Sequence, residues 1–126
     1  MATIQVIEDG FRNYIIKVDG NGVETNALIV DVSALDPPCT RVRLRRVVYS
    51  LAIDSEMSLN WVDGSGSPPQ LLSMHGGNDA DMCFDSTAGI PNVVPNATGD
   101  VVLNGGVADS LYTIYLEFLK KDPVVT

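Results

Sequence analysis

The chain has 126 residues, 45% of them apolar and 19% charged, with a formal charge of −8. That length fits one packed domain rather than two, and that hydrophobicity excludes a disordered chain, which could not offset its loss of conformational entropy on folding. The negative charge disfavours general binding to phosphate backbones, and no apolar run reaches the roughly 20 residues that span a bilayer.

In chain order, Thr3 to Val18 alternates polar and apolar residues, with Ile4 and Val6, then Tyr14, Ile16 and Val18, on repeating faces. The intervening Asp9-Gly10 makes this a predicted hairpin. Asp19-Gly20-Asn21-Gly22 reads as a second hairpin turn, because these residues tolerate positive φ, and the next strand is expected near Thr25. Ala27 to Val32 is a short apolar strand that must end before Asp36, since Pro37-Pro38 cannot continue a ladder. A helix at Ser33 to Leu35 or Val107 to Ser110 would be a single turn at most.

Thr40 to Asp54 is the longest strand-like stretch. Val42 and Leu44 lie on one face, and Val47, Tyr49, Leu51 and Ile53 on a face displaced by one residue. An extra residue at Arg45-Arg46, a β-bulge, restores a single buried face. Met57 to Val62 follows as a strand with Met57, Leu59 and Trp61 on one side, so Trp61 is an anchor for the core or an interface. Beyond the loop Asp63 to Pro69, short strands are expected at Gln70 to Met74, Met82 to Phe84 and Asp100 to Leu103. The region of about 63–110 otherwise reads as loops that reach a partner. The final strand carries Tyr112, Ile114, Leu116 and Phe118 on one face, and 120–126 is expected to be a short tail. Many short strands, turn signals and no helical period predict one all-β domain over 1–126, an antiparallel sandwich or jelly roll.

Arg41-Val42-Arg43-Leu44-Arg45-Arg46 holds four of the eight cations. On a strand, Arg41, Arg43 and Arg45 form an outward guanidinium row suited to carboxylates, with Arg46 beside it. Two readings compete: docking on an acidic protein surface, including another copy of this chain, or a solvated face paired with local Asp and Glu. Nucleic acid ranks lower, because no aromatic side chains are interleaved for stacking bases.

The remaining constellations carry little chemistry. Gly76 to Asp81, with Asp85, offers oxygen ligands but lacks the spacing of a calcium loop, so a hydrogen-bonded turn is the better reading and no metal or cofactor is expected. His75, the only histidine, could be joined to Cys39 or Cys83 and Asp85 in a nucleophilic relay, but no nucleophile motif surrounds any of them. Asp54 and Glu56 read as hydrated turn carboxylates, and Asn96-Ala97-Thr98 as a chance match to a glycosylation acceptor. The two cysteines read as reduced thiols in a chain whose start, MATIQVIEDGF, lacks the pattern of a secretion signal, and the protein is expected to be made in a cytoplasm.

The run TNALIVDVSALDPPCTRVRLRRVVYSLAID and the later LNWVDGSGSPPQLLSMHGGNDADMCFDSTAGIPNVV, in an acidic all-β chain of this length, resemble the decoration or cement proteins of tailed-bacteriophage capsids. The resemblance implies a jelly roll or related β-structure, assembly as a trimer or dimer, and no catalytic residues. It further implies the major capsid protein as partner, on the outer surface of the virion, and transfers no contact position; from their own chemistry Arg41, Arg43, Arg45, Arg46 and Trp61 are the expected contacts, with neither nucleic acid nor membrane as ligand. A carbohydrate-binding sandwich, with Trp61, Tyr112 or Tyr115 as an exposed stacking platform, is the alternative. A hydrolase built on His75 comes third.

Overall fold

The computed structural model describes residues 2–63, 69–77, 80–84, 89–90 and 98–121. Nine strands and one 3-10 turn, Val32–Ala34, make up its elements. In chain order the strands are β1 (Thr3–Asp9), β2 (Asn13–Asn21), β3 (Glu24–Val30), β4 (Arg41–Leu51), β5 (Glu56–Trp61), β6 (Gln70–His75), β7 (Ala80–Cys83), β8 (Val101–Gly105) and β9 (Leu111–Lys121). They form two antiparallel sheets packed face to face, ordered β1-β2-β9-β4-β7 and β3-β8-β5-β6. The chain is therefore an all-β sandwich, as its alternation predicts.

Alternation decides which side chains meet between the sheets. The five-stranded sheet contributes Ile16 and Val18 from β2, Ile114, Leu116 and Phe118 from β9, and Val42, Leu44 and Val47 from β4. Met57, Leu59, Trp61, Met74, Val101 and Leu103 close the core from the four-stranded sheet. The β-bulge is where the pattern requires it: Leu44 pairs with Phe118 and Arg46 with Glu117, leaving Arg45 as the extra residue. Val42 and Leu44 on one side of it, and Val47, Tyr49 and Leu51 on the other, are all buried.

The structure corrects three local expectations. Asp19 to Gly22 is not a hairpin turn: β2 runs on to Asn21 in register with β9, and the chain then crosses to the other sheet to begin β3. Gly20 sits inside the strand because the Tyr112 ring of β9 lies where its Cβ would be; only Gly22 of this group takes a positive φ, +98°. Ile53, expected on the buried face of β4, lies past its end and is 78% exposed, whereas the short strands expected within 63–110 are present as β6, β7 and β8. Lys120 and Lys121 belong to β9 rather than to a tail, and residues 122–126 lie outside the described residues.

Polar groups close the two ends of the core. At one end the Lys120 side chain, fully buried, places Nζ 2.5 Å from Asp9 Oδ1 and donates to the Pro37 carbonyl at 3.0 Å. Asp9 Oδ2 accepts from the Asp36 amide at 3.0 Å, so one carboxylate ties the β1–β2 turn to both β9 and the loop before β4. At the other end Glu24 of β3 and Tyr112 are buried together, and burial first, then the Glu24 charge, pushes the Tyr112 phenol upward.

Candidate interaction surfaces

The outer face of the five-stranded sheet holds the arginines. Register with β9 sets Arg41 opposite Lys121, Arg43 opposite Leu119 and Arg46 opposite Glu117. The third outward place in the row is therefore taken by Arg46 rather than Arg45, because the bulge absorbs Arg45. Arg41 is exposed, and Arg43, Arg45 and Arg46 are half-buried.

Arg46 is tied locally. Its Nε and Nη2 donate to Asp81 Oδ1 and Oδ2 at 2.9 and 2.7 Å, a two-pronged match across β4 and β7, and Nη1 lies 3.5 Å from Glu117 Oε2. Glu117 also accepts from the Tyr115 hydroxyl at 2.9 Å. The guanidinium holds the Asp81 carboxyl below its ordinary pKa. Arg45, Arg46, Asp81, Cys83 and Glu117 line a shallow hollow of about 390 Å³. For Arg46 the pairing with local carboxylates, one of the two readings of the row, is what the fold builds.

Trp61 lies in the core at 4% exposure, packed among the residues between the sheets. Tyr112 is equally buried, and Tyr115 is half-buried with its hydroxyl on Glu117. These three aromatics therefore form no exposed stacking platform. The outer face of the four-stranded sheet is instead amide- and hydroxyl-rich: Asn60 Oδ1 accepts from Ser58 Oγ at 2.9 Å and from Asn104 Nδ2 at 3.1 Å.

The imagined relay residues are kept apart. His75 is on β6 of one sheet, its Nδ1 3.6 Å from the exposed Glu56 carboxylate, while Cys83 is on β7 of the other sheet. Cys39 is buried in the segment leading into β4, where burial pushes its thiol pKa up, so it is a poor nucleophile. Asp85 and Asp79 lie outside the described residues, as does Asn96. Among the described residues no three His, Cys, Asp or Glu side chains are grouped to hold a metal ion.

One surface is not evident in the sequence. Ile4 and Val6 pair with Val18 and Ile16, whose side chains are buried, so they face the interior side of the sheet. Yet they are 38% and 53% exposed, because β1 overhangs the smaller sheet beyond its edge strand β3. Ile7, 52% exposed, stands at a bulge, as Val6 pairs with Ile16 and Glu8 with Ile15. Ile4, Val6, Tyr14, Leu28 and Leu35 line an apolar groove of about 270 Å³, rimmed by Asp9 and Asp31. The alternation Ile4-Gln5-Val6 was legible, but whether another sheet covers it depends on how many strands the other sheet has. No protein-family model matches the chain, and neither any curated protein nor any solved structure matches it.

Proposed function

We propose that the chain is a structural binding protein of a virus particle, a decoration protein that sits on the outer surface of a phage capsid between major capsid protein subunits and stabilises the shell. Arg41, Arg43 and Arg45, held on or beside one sheet face, are the groups that dock on carboxylates of the shell. The observation that carries the reading is the concentration of four of the eight cations of a −8 chain on that one strand. Elsewhere the acidic surface repels an acidic partner, which confines docking to this face. A protein that binds the assembled shell better than its free subunits shifts assembly toward the intact particle by mass action, and repetition over the shell adds avidity. Self-association, as a trimer or dimer by the resemblance, multiplies the contacts further.

The test is co-sedimentation of the purified protein with expanded shells of its particle at low and high salt, beside the double variant Arg41→Glu and Arg43→Glu. Binding that weakens with salt and is lost in the folded variant is expected. A wild-type protein that leaves the shells bare at low salt would remove the reading.

A further inference from the structure

We propose that β1 is a self-association edge, through which two copies pair antiparallel about a two-fold axis near Gln5 into one continuous sheet of ten strands. The inference deepens the proposed role by naming a self-contact, though that role does not depend on it. Among the described residues β1 ends its sheet, with no described strand beside one row of its backbone N–H and C=O groups. Edge strands that must stay single carry charges, Pro or bulges, and in TIQVIED the bulge and both acids are confined to the Ile7–Asp9 end, which leaves Thr3 to Val6 without such a device. It exposes three aliphatic residues instead, Ile4, Val6 and Ile7.

The occupant is a second copy because the strand is complementary to itself. Its stretch before the bulge is regular, and pairing about Gln5 sets Ile4 of each copy opposite Val6 of the other, an apolar cross-strand pair made twice. Both acids, Glu8 and Asp9, stand at one end of β1. Antiparallel pairing sends the two acidic ends in opposite directions, whereas parallel pairing would oppose like charges. A two-fold axis perpendicular to the sheet keeps the interior face of both copies on the same side, so the two grooves beside Leu28 join and their aliphatic side chains leave water together. A single strand edge is small among protein interfaces, so the dimer is a dissociable one.

Sedimentation velocity from micromolar to near-millimolar concentration reads this out. A monomer–dimer equilibrium is expected, abolished by Val6→Lys and unchanged by Leu111→Lys, which alters an exposed leucine on β9 instead. In a Cys83→Ser background, Gln5→Cys should form an interchain disulfide under mild oxidation. A monomer at every concentration overturns the proposal, as does a dimer or trimer indifferent to Val6→Lys. Shell binding that persists in the Val6→Lys variant would leave the docking role standing whichever way the edge behaves.

Discussion

Removing the charge of Asp9 should cost far more stability than removing that of Lys120, although the two form one ion pair. The Lys120 side chain is fully buried, whereas that of Asp9 keeps 24% of its surface exposed. In Asp9→Asn the ammonium remains inside, facing the Pro37 carbonyl and an amide where a carboxylate had been. Breaking a buried pair this way costs about 3–5 kcal/mol, and each kcal/mol moves the melting temperature of a domain this size by about 4 °C, so a fall of roughly 12–20 °C is expected. In Lys120→Met the apolar stem is kept, and Asp9 retains water on one side and the Asp36 amide on the other, so the loss should be about 1–2 kcal/mol. The double variant should recover most of the Asp9→Asn loss. Urea denaturation of the four proteins, followed by Trp61 fluorescence, closes the cycle. Equal costs for the two single variants, or costs that add in the double, would refute the argument that a buried ammonium is what Asp9 neutralises.

Other outcomes follow from the same packing. Gly20→Ala would drive a methyl into the Tyr112 ring, and Gly76→Ala would drive one into the Ala52 carbonyl; because a ring can swing and a backbone cannot, Gly76→Ala should be the more damaging by equilibrium denaturation. Tyr112 has its pKa raised above the ordinary 10.0, so its contribution is whole below pH 10 and is lost as the pH climbs past it; Tyr112→Phe should flatten the fall in stability measured by urea denaturation between about pH 9 and 11. A thiol reagent should label one cysteine of the folded protein, Cys83, and reach Cys39 only on unfolding, as read by mass spectrometry. In Arg46→Ala the Asp81 carboxyl should titrate at an ordinary value, followed by carboxylate NMR; an unmoved Asp81 would show that the guanidinium is not what lowers it.

Local chemistry is enough to place most of the strands, though not all of their ends. Period-two alternation marks β9 and both halves of β4, and the one-residue phase slip between Leu44 and Val47 identifies the bulge without reference to a partner strand, because a strand with one buried face has no other way to keep it. The arginine cluster was legible for the same reason, but not its pairing: Asp81 and Glu117 stand 35 and 71 residues from Arg46, and only strand order brings them together. The pair of Asp9 with Lys120 spans 111 residues and was read from neither end. Gly20 looked like a turn since glycine is equally at home under an aromatic ring, and Tyr112, which makes it a strand residue, arrives from β9. Whether Ile4 and Val6 are core or surface could not follow from their alternation at all. That depends on the number of strands in the opposite sheet, a property of the whole topology, and among the described residues the smaller sheet ends at β3 and leaves them uncovered.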